Sequence, residues 1–190
     1  VEKNISLLLG LIINRKYKMN NKFILIDDFL PQLNFILPKI IETPLYDLNE
    51  YASKFSSPGK WPGKRSQSLI VENRLLYAYV METVFNKVDI LKNKNFNCLM
   101  FLHLRRSEDA QKDWIHKDPH TFSALIYLNE TNLNSGTKIY NDKKEETADI
   151  KYIQNRFFMF NGNCNHIGYG HFGENPNNGR LTFNLFIDIF

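Results

Sequence analysis

The sequence predicts a mainly β protein with N-terminal helices, an α+β chain in which an antiparallel sandwich or barrel has helices laid over one sheet. Three observations carry this. Helical spacing stops near Leu91, and short β runs crowd the chain from Phe96 onward; segregated helices and strands give α+β layers rather than alternating βα units. Two of the β runs have one apolar face and one mixed face, as expected of a sheet with helices on one side and a polar-lined cavity on the other. Aromatic residues make up 14% of the chain, with 15 Phe, which suits a β-rich core.

The elements follow in order. Ile5 to Ile13 is apolar and is followed by Arg15-Lys16-Tyr17-Lys18. It is far short of the roughly 20 apolar residues of a membrane span, and no small-residue cleavage site follows it, so neither a membrane partner nor a secretory leader is expected. Met19 reads as a translation start. Residues 1–22 are therefore predicted to be an extension outside the core, with an amphipathic helix packed on the domain as the alternative. Residues 23–190 are one domain by size. Phe23 to Leu30 reads as a strand running into a helix start near Pro31. Leu33 to Ile41 has helical spacing, and Pro44 to Phe55 is a second short helix. Ser56 to Ser68, basic and rich in Pro and Gly, is a loop. Leu69 to Leu91 is the strongest helix, with Leu76, Tyr79, Val80, Thr83, Val84 and Val88 on one face. Strands are expected at Phe96–Leu104, Trp114–Asp118, Phe122–Asn129, Thr137–Tyr140, Asp149–Ile153, Arg156–Phe160 and Arg180–Phe190. In the last of these, Arg180, Thr182, Asn184 and Phe186 oppose Leu181, Phe183, Leu185, Ile187 and Ile189.

Charge and cysteine usage exclude several classes. The net charge of +4 comes without an arginine-rich run or an aromatic-basic RNA motif, so a nucleic-acid partner is not expected. Cys98 and Cys164 are too few for a disulfide framework and suggest a reducing, cytoplasmic compartment.

The chemistry sits in His116-Lys117-Asp118. Side chains alternate along a strand, so His116 and Asp118 share a face, and His166, after the apolar run Arg156 to Phe160, is the natural third donor. Two imidazoles and one carboxylate are the donor set of a non-haem Fe(II) centre with open positions. Arg180, in Gly179-Arg180-Leu181-Thr182, supplies a guanidinium on the last long strand. His171 is the rival third ligand.

Together with Ile126-Tyr127-Leu128-Asn129, the Gly136-Thr137 turn and Phe158 to Phe160, these residues resemble the 2-oxoglutarate- and Fe(II)-dependent oxygenases, in their prolyl-hydroxylase-like branch. The resemblance is strong from Asp113 onward. It implies a double-stranded β-helix (jelly roll, cupin-like) with helices packed on the major sheet. It also implies Fe(II) held by His116, Asp118 and His166, with 2-oxoglutarate as cosubstrate and O2 as oxidant. Arg180 would pair with the distal carboxylate of 2-oxoglutarate, Tyr127 would donate to the same carboxylate, and Thr182 and Asn184 would line the pocket. The implied reaction is hydroxylation of a C–H bond in a small-molecule, peptide or protein substrate, with release of succinate and CO2. Asp118 argues against a halogenase. The 14-position step from His166 to Arg180 is longer than in many prolyl hydroxylases.

Trp114 is a candidate wall of the substrate mouth, with core packing as the alternative. Trp61 and Arg65 are substrate-side candidates, set against solvated loop residues. Arg105 and Arg106 read as a solvated strand end, with contact to an acidic substrate as the alternative, and His103 and His120 as structural or surface histidines. A Zn-dependent hydrolase or isomerase of cupin-like fold, and a jelly-roll binding module without catalysis, are the competing classes.

Overall fold

The computed structural model describes residues 23–56, 61–109 and 112–190; the predicted extension 1–22 lies outside them. Among the described residues nine strands form two sheets. β1 (Phe23–Ile26), β2 (Lys64–Arg65), β3 (Phe96–Arg105), β4 (Phe122–Tyr127), β7 (Phe157–Asn161) and β9 (Arg180–Ile189) make the larger, in the order β1-β7-β4-β9-β3-β2. β5 (Asn132–Tyr140), β6 (Glu146–Tyr152) and β8 (Asn165–Tyr169) make the smaller, in the order β6-β5-β8. Every pairing is antiparallel.

The helices are α1 (Leu33–Ile41), α2 (Leu48–Phe55), α3 (Leu69–Glu72) and α4 (Arg74–Lys87), followed by a 3-10 turn at Asp89–Leu91. α2 starts on a capping box, Asp47 accepting from the Asn49 and Glu50 backbone N–H groups while Glu50 reaches back to the Asp47 N–H. The single long helix expected from Leu69 is broken at Asn73, whose side chain accepts the Leu76 N–H at 3.1 Å. A side-chain acceptor offers that donor an alternative to the preceding turn and restarts the helix.

One face of the larger sheet carries the core. Met100, Leu102 and Leu104 of β3, Ala124 and Ile126 of β4, Phe157 and Met159 of β7, and Leu181, Phe183, Leu185 and Ile187 of β9 are buried against Leu33, Ile40, Leu69, Val80 and Val84 from the helices. A second cluster fills the space between the sheets with Tyr127, Ile139, Ile150, Tyr152, Phe158 and Phe160. Asn155, at φ 61, accepts from the Leu30 N–H at 2.7 Å and donates to the Leu30 carbonyl at 2.9 Å. Arg156 forks onto Asp27 at 2.6 and 2.9 Å. These contacts fasten the end of β1 to the turn between β6 and β7.

Four local expectations are corrected. Lys64–Arg65 is an edge strand paired with Leu104 and His103 rather than loop. Trp114–Asp118 is extended but joins the smaller sheet through one bridge, His116 to His166; only that residue exchanges both backbone hydrogen bonds. β8 was not foreseen, because Asn165-His166-Ile167-Gly168 shows no apolar alternation. Gly136-Thr137, expected as a turn, lies within β5, where the register with β6 shifts.

Candidate metal centre and cavity

Two short segments bring the metal donors together. His116 and His166 exchange backbone hydrogen bonds at 3.0 and 2.9 Å, and residues paired this way in an antiparallel ladder project on the same side. Their rings lie 4.3 Å apart between centroids. Asp118, two residues on, shares that side and is anchored by its N–H to the Gly162 carbonyl at 2.8 Å. The donor atoms of His116, Asp118 and His166 all fall within 4.8 Å of one another.

Both imidazoles are fixed in the same way. His116 Nδ1 meets the Trp114 carbonyl at 2.9 Å and His166 Nδ1 meets the Cys164 carbonyl at 3.0 Å. A carbonyl only accepts, so Nδ1 carries the proton and Nε2 keeps its lone pair for a metal. Burial, and then the neighbouring His116, hold His166 below the usual imidazole range, which keeps that lone pair free near neutrality. Asp118 Oδ2 accepts from Ser123 Oγ at 2.6 Å, a support on β4 that the sequence argument did not single out. His171, the rival ligand, lies elsewhere: its Nε2 is 2.9 Å from Asp113 and 2.8 Å from the Arg105 guanidinium.

The triad opens on a cavity of about 210 Å³. Its floor is the polar face of the larger sheet, and strand register sets the order. Arg65 lies opposite His103 and His103 opposite Thr182; Arg105 lies opposite Arg180; Phe101 lies opposite Asn184. Arg180 is 4% exposed and crosses to the smaller sheet, donating from Nη2 to the Gly136 carbonyl at 3.0 Å and to Thr137 Oγ1 at 3.4 Å. Its Nε has no acceptor, and no carboxylate pairs with it, among the described residues. Gly168 leaves room beside it, since a Cβ there would meet Nη2 at 3.3 Å.

The other expected residues are placed as follows. Asn184, Trp61, Arg65 and Trp114 line the cavity. Trp114 is 46% exposed, so it is not core. Thr182 is fully buried and donates to Asn184 Oδ1 at 2.7 Å, outside the lining. Tyr127 is stacked on Tyr152 with its hydroxyl donating to Thr137 Oγ1 at 2.9 Å, beneath the cavity rather than in its wall; Thr137, which does line it, was missed. Arg105 corrects the expectation of a solvated strand end: it is 1% exposed and pairs with Asp113 at 3.3 Å. Arg106 pairs outside the cavity with Asp109 and Glu108. His120 pairs with Asp188 at 2.8 Å. His103 lines the cavity, its Nε2–H donating to the Pro62 carbonyl at 2.7 Å. Desolvation, aided by Arg65, Arg180 and Arg105, takes its pKa down to about 3, against the Pro62 hydrogen bond. It is a neutral ring among three guanidiniums.

No family model matches the chain, and no curated protein matches it. Solved structures do. HygX from Streptomyces hygroscopicus, with nickel, 2-oxoglutarate and hygromycin B bound, aligns over 88% of this chain and 82% of its own at TM-score 0.63 and 9% identity. SnoN, a non-haem α-ketoglutarate-dependent epimerase from nogalamycin biosynthesis, aligns over 87% and 77% at 0.61 and 8%. A prolyl hydroxylase from Trichoplax adhaerens, in complex with a hypoxia-inducible-factor peptide fragment, aligns over 89% and 84% at 0.55 and 15%. The chain therefore has the double-stranded β-helix fold of these proteins, with helices on the larger sheet. Among the described residues no helix is long and apolar enough to cross a membrane.

Proposed function

We propose that the chain is an Fe(II)- and 2-oxoglutarate-dependent oxygenase of the prolyl-hydroxylase-like branch. It hydroxylates an unactivated C–H bond, most naturally in a prolyl, amino-acid or peptidyl substrate. The observation that carries this is one cavity bounded by a His-Asp-His triad and by a buried arginine with no carboxylate partner among the described residues. Fold likeness to a protein with 2-oxoglutarate bound and to one in complex with a peptide fragment supports it.

The residues present fit both groups. Two imidazole Nε2 atoms and one carboxylate, with no fourth His, Cys, Asp or Glu grouped with them among the described residues, suit Fe(II) with positions left open. A guanidinium with an unmatched Nε–H suits a carboxylate bound through the planar fork. When bound, Fe(II) and 2-oxoglutarate would supply O2 activation, with succinate and CO2 released. The chain's own residues would do the rest. His116, Asp118 and His166 hold the metal, and Ser123 keeps Asp118 oriented by hydrogen-bonding its Oδ2. Arg180, Thr137 and Asn184 position the cosubstrate. Tyr127 acts on it only through Thr137. Trp61, Arg65 and Trp114 form the substrate side. A reducing, cytoplasmic setting, in keeping with Cys98 and Cys164 not being joined in a disulfide, would maintain ferrous iron.

Anaerobic titration of the protein with Fe(II) and then 2-oxoglutarate tests this. A weak visible charge-transfer band should require both additions and be lost in Asp118→Ala. A protein that binds Zn(II) but gives no band, and consumes no 2-oxoglutarate, would be a hydrolase or isomerase instead.

A further inference from the structure

The cavity holds more positive charge than the cosubstrate explains. Its charged lining consists of Arg65, Arg105, Arg180, Asp113 and Asp118. Asp113 is taken by Arg105 and His171, and Asp118 by the metal triad. If Arg180 takes the distal carboxylate of 2-oxoglutarate, Arg65 remains. No side-chain hydrogen bond or ion pair holds it among the described residues, and its buried Nε has no acceptor. A buried polar group left unmatched is costly, typically about 1–3 kcal/mol and more when charged. Such a group is usually matched by a ligand or by water.

Arg65 is nonetheless held firmly. Its guanidinium carbon lies 3.7 Å from the centre of the Phe101 ring, 5.1 Å from Trp61 and 5.4 Å from Phe186. Stacking on aromatic faces fixes the plane of the fork while leaving its edge free to donate. Trp61 Nε1 is a second buried donor without an acceptor, in the same cavity. Arg65 stands opposite His103, two strands from β9. Strands lie about 4.8 Å apart, which puts the Arg65 backbone about 10 Å from the strand that carries Arg180. The two arginines thus stand on different strands, with His103 on the strand between them.

We propose, resting on the oxygenase reading above, that the organic substrate is a carboxylic acid with an apolar body. Its carboxylate is held by Arg65 and Trp61 Nε1, and its body lies against Phe186 and Trp114. Carboxylate recognition then sets specificity on the substrate side of the metal, and a neutral amide of the same shape is a poor ligand.

The chain's two tryptophans, Trp61 and Trp114, both line the cavity, so intrinsic fluorescence reports on this wall. The probes are 3-phenylpropionate and 3-phenylpropanamide, titrated into the full chain loaded with Zn(II) and 2-oxoglutarate. The acid should bind at least about tenfold more tightly than the amide. Arg65→Met should bring the two within about threefold of each other, and Arg65→Lys should retain part of the preference. A parallel titration in Arg180→Met, without cosubstrate, keeps the test independent of the oxygenase reading: the acid preference should persist there even if no Fe(II)/2-oxoglutarate band is ever seen. Equal binding of acid and amide, binding of neither, or a preference that survives Arg65→Met and vanishes in Arg180→Met would overturn the proposal. Should Arg65→Met fail to fold, Trp61→Phe, which removes only the indole donor, should weaken the acid and leave the amide unchanged; equal weakening of both would overturn it as well.

Discussion

Replacing Arg180 with Met separates the proposed cosubstrate contact from everything else in the site. The side chain is 4% exposed and makes two hydrogen bonds to the smaller sheet, at 3.0 and 3.4 Å, while Nε has no acceptor among the described residues. Truncating one member of a buried, hydrogen-bonded charge pair typically costs about 2–5 kcal/mol. With about 3 kcal/mol as the central figure, and 1.4 kcal/mol per tenfold, the Kd for 2-oxoglutarate should rise by about two orders of magnitude. The assay is anaerobic titration of the Fe(II)-loaded protein, followed by its charge-transfer absorbance. Pyruvate, which keeps the chelating end and lacks the distal carboxylate, should bind wild type and variant within about threefold of each other, because only Arg180 and the missing carboxylate differ. The apo variant should melt close to wild type, since an apolar side chain of similar length replaces an incompletely paired buried cation. A 2-oxoglutarate Kd that moves less than threefold, or a pyruvate Kd that moves as far, would refute the assignment of Arg180.

Ser123→Ala removes the 2.6 Å hydrogen bond to Asp118 and should weaken Fe(II) or Mn(II) affinity by about 10–100-fold, the usual effect of losing an outer-shell partner; calorimetric metal titration reads it. Asp118→Ala, His116→Ala and His166→Ala should each abolish stoichiometric metal binding by elemental analysis, whereas His171→Ala should retain it. Gly162→Ala places a Cβ 2.2 Å from the His120 carbonyl and should destabilise the fold by about 2–4 kcal/mol, with metal affinity lost alongside because Asp118 hangs on the Gly162 carbonyl. His103 and His166 both titrate below the ordinary histidine range in the folded chain, so the unfolded chain binds more protons as pH falls. Apo stability by urea denaturation should thus be full above about pH 6.5 and decline below it, His103 contributing down to about 3. His103→Gln should flatten that decline, and an unchanged slope would remove His103 as its source.

The sheet's apolar side was legible because burial there is one-sided. Leu181, Phe183, Leu185 and Ile187 of β9, and the Val80, Thr83 and Val84 stripe of α4, repeat at the periods of their elements and pack on each other. The triad was legible for a different reason: HxD in an extended segment needs only alternation to put both donors on one side. The cross-strand partnership of His116 with His166 was not legible. It rests on a single bridge between a segment too short to count as a strand and a strand, Asn165–Tyr169, with no apolar alternation. Arg105 was misread because a charged residue at the end of an apolar run ordinarily faces water; here Asp113, from the segment that follows, and His171, distant in sequence order, close over it.

These misses share a cause that bears on how the fold divides its work. The helix-covered face of the larger sheet excludes water with hydrocarbon, whereas the other looks onto a cavity lined by polar and charged groups. On the other, Arg65, His103, Thr182, Arg105, Arg180 and Asn184 occupy alternate positions of three neighbouring strands, and Arg105 sits in the field of Arg180. Desolvation and mutual repulsion among like charges oppose such an arrangement. It holds because the apolar face carries the stability and because Asp113 and Asp118 offset part of the charge. The unmatched remainder, at Arg180 and Arg65, is strain that an anion relieves. Binding of 2-oxoglutarate and of an acidic substrate should therefore each raise the melting temperature, and do so in both orders of addition. Stabilisation by 2-oxoglutarate that is absent in Arg180→Met, and by 3-phenylpropionate that is absent in Arg65→Met, would locate the two anions separately; a single variant abolishing both would mean that the cavity has one anion site and not two.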